Sequence, residues 1–213
     1  MTAIDDARSR LRDRKRKPAK PREPWSAPGL GDFLHAQRVL SYDATLTHCG
    51  VIGLTAWPDR IEVWARRTIN PATPRLGYLA TWDKAMELRR ELEGIERDLG
   101  HGAHCVVEAP PVGGGFRTES SLIAGLQVVS ARPPGSWTAM VPTHVSAVLL
   151  GKPGVRSEER KRLIRAAVIA LVPEASGRDW NEHQRDALAT GLTWLYDEAR
   201  RRPQPPWLER ESR

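Results

Sequence analysis

The sequence predicts an α/β protein: a mixed five-stranded sheet, three antiparallel strands followed by parallel strands, with helices on both faces. Three observations carry this. Three short apolar runs crowd between residues 38 and 66, and such close spacing implies an antiparallel meander. Two further apolar runs, at 104–109 and 137–141, each follow a stretch of helical spacing, the order of β–α–β crossovers. Beyond them the chain shows only helical periodicity until a proline-rich end.

The first run, Arg38–Tyr42, is rich in strand formers and stops at a carboxylate, Asp43. Thr45, Thr47, His48 and Gly50 supply turn chemistry before the second run, Val51–Ala56. Pro58-Asp59 separates it from the third, Ile61–Arg66. Leu79–Leu99 has apolar residues at helical spacing and stops at Gly100. Its other face (Arg89, Arg90, Glu91, Glu93, Glu96 and Arg97) mixes both signs and reads as solvated. The fourth strand, His104–Ala109, carries Glu108 at its end and is closed by Pro110 and Pro111. Helices are predicted at Thr118–Ser130, Thr143–Leu150, Ser157–Val172 and Asn181–Arg201, with a fifth strand at Trp137–Val141. Asn181 and Gln184 have the spacing of a capping pair.

The 213 residues fit one domain with tails: a basic arm over 1–30, a folded body over 31–202 and a proline-rich tail over 203–213. The net charge is +7, and residues 1–24 hold nine Lys/Arg against four Asp/Glu, so the body is close to neutral. Any polyanion surface on the body is therefore a local patch. The arm is either a solubilising tail or a phosphate-contacting segment. No stretch approaches the roughly 18 apolar residues of a membrane helix, and the charged N-terminus lacks a secretory h-region. Cys49 and Cys105 each sit beside an apolar run, as buried reduced thiols would, which points to the cytoplasm. Of the eight tryptophans, Trp57, Trp64, Trp82, Trp137 and Trp194 lie in or beside predicted elements and are expected in the core, and Trp180 beneath the site.

The candidate chemistry is acidic. If the first strand is central and the fourth pairs beside it, Asp43 and Glu108 end up as neighbours. Asp43 alone reads equally as a solvated strand-end residue or as a ligand. The last helix adds His183 and Asp186, three residues apart and so on one face, with Glu182 about 100° away from His183. Three carboxylates and an imidazole suffice to hold two divalent ions about 3.5–4 Å apart, an arrangement that hydrolyses phosphodiesters. Hard oxygen ligands favour magnesium, with manganese as the alternative. His183 would be a ligand to the second ion or a proton shuttle.

Four stretches together resemble the RuvC-type Holliday junction resolvases. RVLSYDATLTHCGVIGL resembles their first motif, a strand, catalytic Asp, small-residue turn and second strand. HCVVEAP resembles the strand that delivers their catalytic Glu. MVPTHVSAVLLGKPGVRSEERKRLI resembles their Pro-Thr helix, loop and next helix, and NEHQRDALATGL resembles their closing helix. The resemblance spans about residues 36–200 and implies an RNase H-like fold. It implies a metal-dependent endonuclease of DNA recombination and repair, a homodimer cutting four-way junctions to leave 5′-phosphate and 3′-hydroxyl ends. Asp43, Glu108 and Asp186 match the metal-binding carboxylates, and His183 stands where many members have Asp and some have His. The family's lysine in the Pro-Thr helix is replaced by Ser146, and Lys152, Arg156, Arg160 and Lys161 are candidates for its charge. The arm, which bacterial members lack, points to a phage-encoded member acting in the host cytoplasm. By family analogy the helix from Thr118 is the dimer element, with a small face of Ser120, Ser121, Ala124 and Gly125; ordinary packing on the sheet is the other reading.

Gly113–Gly115 is no Walker loop, because no Gly-Lys-Ser/Thr follows it. It either admits a DNA strand close to the backbone or is a surface loop. Phe116 and Arg117, next in sequence, are candidates to stack at a junction's unpaired centre. Other readings stand beside the resolvase: an RNase H-fold nuclease of RNA–DNA hybrids or forks, and a non-catalytic junction-binding protein. An actin-like ATPase needs two such domains, for which 213 residues leave little room.

Overall fold

The structure is a computed structural model that describes residues 37–57, 60–72, 77–110, 116–132, 136–151 and 157–201. The basic arm, the proline-rich tail, Gly113–Gly115, Lys152 and Arg156 lie outside the described residues. Strands β1 (Gln37–Ala44), β2 (Cys49–Ala56) and β3 (Ile61–Ile69) form the expected meander. Helix α1 (Tyr78–Leu99) leads to β4 (His104–Glu108), α2 (Phe116–Ser130) and β5 (Trp137–Met140). Three helices follow: α3 (Pro142–Leu150), α4 (Ser157–Leu171) and, after a 3-10 turn at Pro173–Ser176, α5 (Glu182–Arg201). The sheet order is β3-β2-β1-β4-β5, with β1–β2 and β2–β3 antiparallel and β1–β4 and β4–β5 parallel.

Alternation along the strands divides the interior in two, because successive side chains leave opposite faces of a sheet. Val39, Ile52, Leu54 and Val106 pack against α3, α4 and α5 through Val148, Val168, Leu188 and Leu192. Leu40, Tyr42, Val51 and Cys105 pack against α1 and α2 through Leu88, Leu92, Ala124 and Val128. β2 is buried along its whole length, as its unbroken apolar and small composition requires. Cys49 and Cys105 are buried free thiols, and burial pushes Cys105 up to about 12.

The sequence misjudges five places. β1 runs past Tyr42, so Asp43 pairs with Gly50 inside the ladder rather than ending it. The turn is only Thr45–His48, closed by Thr45, whose Oγ1 donates to His48 O at 2.7 Å and accepts from His48 N at 3.0 Å. Trp82 is 66% exposed and Trp137 is 38% exposed, so neither is core; Trp180 and Trp194 are buried. Glu96 does not face water: it accepts from Tyr42 Oη at 2.5 Å and pairs with Arg132 at 2.6 Å, both charges being nearly buried. The distant Tyr42 and Arg132 make that pocket, and nothing in the local pattern of α1 reveals them. Finally, α2 begins at Phe116, which places Phe116 and Arg117 in a helix rather than in the preceding loop.

Candidate active site

Asp43 and Glu108 meet because of register. Tyr42 lies opposite Val107 in the parallel β1–β4 pair, so the next residue of each strand, Asp43 and Glu108, stands side by side. Both occupy the alternation that faces α5, the face of Ser41 and Val106. The first two turns of α5 then bring His183 and Asp186 down onto them.

The start of α5 is fixed by a reciprocal cap. Asn181 N–H donates to Gln184 Oε1 at 3.1 Å, and Gln184 N–H donates to Asn181 Oδ1 at 2.9 Å. The same two side chains donate to Thr68 Oγ1 of β3, at 2.7 and 3.0 Å, and so tie the cap to the sheet. Beneath it, Gly50 permits the approach: a Cβ there would stand 2.1 Å from the carbonyl oxygen of His183. Only glycine lets the helix backbone lie so close to β2. Trp180 is buried just before the helix, with the Arg66 guanidinium 5.0 Å over its ring.

Within this frame His183 Nδ1 lies 2.7 Å from Asp43 Oδ2, and its ring stacks on His48, centroids 5.0 Å apart and planes 7° from parallel. The hydrogen bond to Asp43 is the largest cause that raises the His183 pKa, with the charges of Asp43, Asp186 and Glu182 adding to it. Burial pushes Glu108 up to about 8, helped by repulsion from Asp43 and Asp186. Burial and Asp43 push Asp186 up to about 6. Three carboxylates are thus held together against their own charge.

That donor set fits a hard divalent cation. Oxygen ligands of like charge, crowded and partly dehydrated, are what a magnesium or manganese ion neutralises. Among the described residues no group of three or more His, Cys, Asp and Glu side chains is arranged so as to hold a metal ion. The fit rests on the clustering and mutual repulsion of Asp43, Glu108 and Asp186, with His183 as the adjoining nitrogen donor.

Cations come from α4. A cavity of about 70 Å³ beside the carboxylates is lined by Glu108, Asp186, Thr190, Arg160 and Lys161. Lys161 contacts the Glu182 carboxylate. Ser146, by contrast, is fully buried and donates to Pro142 O at 3.0 Å, so α3 presents no charge at that position. Arg162 and Arg165 fall in the basic 152–165 stretch that the sequence offers for phosphate contacts. The roles of Gly50, Thr68, His48 and Arg185 are not read from the sequence, and for Gly50, Thr68 and His48 the partner is distant along the chain.

The sheet order, the mixed pairing and the helices on both faces define an RNase H-like fold. No family model matches the sequence, and no curated protein matches it. Solved structures do match. Thermus thermophilus RuvC in complex with a Holliday junction substrate aligns at 18% identity with a TM-score of 0.58, covering 77% of this chain and 96% of that one. A second Thermus thermophilus RuvC structure aligns at 15% identity and a TM-score of 0.55 with the same coverage. At these identities the likeness establishes the fold.

Proposed function

We propose that this protein is a metal-dependent, structure-selective endodeoxyribonuclease that resolves four-way and related branched DNA junctions, of the phage-encoded kind. The observation that carries this is the meeting of Asp43, Glu108, Asp186 and His183 at one end of the central strand pair, with Arg160 and Lys161 at the rim. Asp43, Glu108, Asp186 and His183 would hold two magnesium ions, which when bound activate a water and stabilise charge on the phosphate. The chain's own part is to orient. Register aligns Asp43 with Glu108, the Asn181–Gln184 cap and Gly50 seat His183 and Asp186, and Asp43 fixes the His183 ring. Arg160 and Lys161 offset the carboxylate charge against an entering strand. The solved RuvC whose fold this chain shares is bound to a Holliday junction, which supports the choice of substrate.

We infer a homodimer as the working form, because a four-way junction is itself pseudo-two-fold and needs two opposed cuts. Leu79, Trp82 and Met86 of α1 and Leu122 and Leu126 of α2 are exposed apolar side chains. Trp82 and Met86 border a groove of about 870 Å³ shared with α2. Of the small face of α2, Ser120 and Ala124 are buried inside the protomer, while Ser121 and Gly125 are half-buried.

The deciding experiment is cleavage of a labelled four-way junction in magnesium or manganese, with fork and RNA–DNA hybrid controls, by parent and Asp186→Asn. Paired symmetric nicks by the parent and none by the variant are expected. Cleavage of hybrids alone overturns the resolvase reading. Tight junction binding that survives Asp43→Asn and Glu108→Gln, with no cleavage by any of the proteins, makes it a junction-binding protein instead.

A further inference from the structure

An acidic site repels the strand it must cut, so the disposition of nearby cations matters. Beside the cavity that holds Glu108 and Asp186 opens a second hollow of about 320 Å³, lined by Lys161, Arg162, Arg165, Glu182, Arg185 and Asp186. Lys161 and Asp186 border both hollows. Arg185 is tethered: its Nε and Nη2 each donate at 3.0 Å, to Ala175 O of the 3-10 turn and to Gly177 O just after it. Arg162 and Arg165 line only the outer hollow. Lys161 is differently placed. Its partner is Glu182, and the two side chains are 59% and 60% exposed. An ion pair so open to water is weak, and its exchange for another anion is easy. Lysine also has the flexible four-carbon stem and three donors that such a move requires.

We propose that Lys161 is a transferable cation: it rests on Glu182 in the free protein and passes to a phosphate oxygen of the bound nucleic-acid strand where the two hollows meet. This rests on the nuclease reading for its substrate. Glu182 competes with the phosphate and so tunes how tightly a strand is held. Lys161 is then a catalytic residue in the sense of touching the substrate, and Arg162 and Arg165 extend the anion track outward from it.

The proposal and a merely structural ion pair differ in the double variant. If Lys161–Glu182 only braces α4 against α5, each charge acts on a nearby polyanion independently and the two changes add. If Lys161 transfers, Lys161→Met weakens binding while Glu182→Gln strengthens it only when Lys161 is present. Binding of a fluorescent four-way junction is measured by anisotropy across a salt series, with EDTA present so that cleavage does not intervene. Lys161→Met is expected to make the log K against log salt slope shallower by about 0.9, one phosphate contact. Glu182→Gln is expected to tighten binding by up to about fivefold. Lys161→Met/Glu182→Gln should bind no better than Lys161→Met. Equal signs for the two single variants, additive changes in the double variant, or an unchanged slope in Lys161→Met, overturn the proposal. In magnesium, single-turnover cleavage should fall about 10²-fold in Lys161→Met and recover in part in Lys161→Arg; cleavage by Lys161→Met at the parent's rate also overturns it. A parent that binds junctions without cutting them sinks the nuclease reading alone, since the binding series still decides the role of Lys161. A parent that binds no DNA sinks both.

Discussion

At Glu108 the folded protein holds a carboxyl against its own preference. A carboxyl whose pKa rises on folding binds its proton more tightly folded than unfolded, so its stabilisation is present at low pH and lost as pH climbs to the folded value. For Glu108 that window runs from 4.5 to about 8, and for Asp186 from 3.8 to about 6. His183 acts with the same sign: its raised pKa stabilises fully below 6.5, and that gain is lost as pH rises through the folded value. In chelator, the melting temperature should therefore fall as pH rises through these windows, the reverse of ordinary salt-bridged carboxylates. Glu108→Gln should flatten the fall and melt several degrees above the parent near pH 8, on the order of 2–4 °C per kcal/mol. Identical pH profiles for the two proteins would show that Glu108 is not under this load. Added magnesium should raise the parent's melting temperature more than the variant's. Asp43→Asn should lower the His183 pKa, read from its ring protons by NMR titration, because the hydrogen bond to Asp43 is the main cause of the rise. As candidates, Asp43, Glu108, His183 and Asp186 are legible in the sequence, two as carboxylates that close apolar runs and two at i, i+3. His48, stacked on His183, is not, because a ring stack between a turn and a helix 135 residues later leaves no local pattern.

Among the elements, α5 determines whether the site exists. Its cap was legible from Asn181 and Gln184, since a capping box is a local motif. Its approach to β2 was not. Gly50 looks like a turn residue in sequence, yet it lies within β2 and is required because the His183 carbonyl sits where a side chain would go. Gly50→Ala should destabilise the fold by about 1–3 kcal/mol, the usual range of overpacking. It should also lower the His183 pKa by lifting that residue away from Asp43. Denaturant melts and the same NMR titration would check this, and an unperturbed His183 would contradict the account. Asn181→Ala, which removes the cap and its hydrogen bond to Thr68, should cost about 1–2 kcal/mol. α1 gives the opposite lesson. Its polar face reads as uniformly solvated, but Glu96 turns inward to Tyr42 and Arg132. Removing one member of such a pair strands the other, so Arg132→Met should cost about 3–5 kcal/mol.

For the whole molecule, the proposed dimer raises the choice of surface that two copies would share. The exposed apolar residues of α1 and α2 lie on the sheet face opposite α5, so a dimer through them leaves both acidic sites open to DNA. Trp82→Glu with Leu126→Glu should convert a dimer to a monomer in sedimentation velocity while leaving the monomer's melting temperature within a few degrees. A dimer that survives both changes would place the interface elsewhere. Isolated nicks in place of paired ones should accompany the loss of the dimer.

The sequence by itself determined the strand and helix order and the mixed sheet with helices on both faces, and it offered Asp43, Glu108, His183 and Asp186 as candidates for a site. Each of these is written in local periodicity, in turn chemistry or in spacing along one element. Only the tertiary structure decided that Asp43 lies within its strand, that Gly50 must be glycine, that Glu96 turns inward while Trp82 is exposed, and that Lys161 stands between two hollows. These depend on which surfaces come within a few ångströms across distant stretches of chain, and such contacts are set by the packing of helices on the sheet, not by any one segment's own pattern.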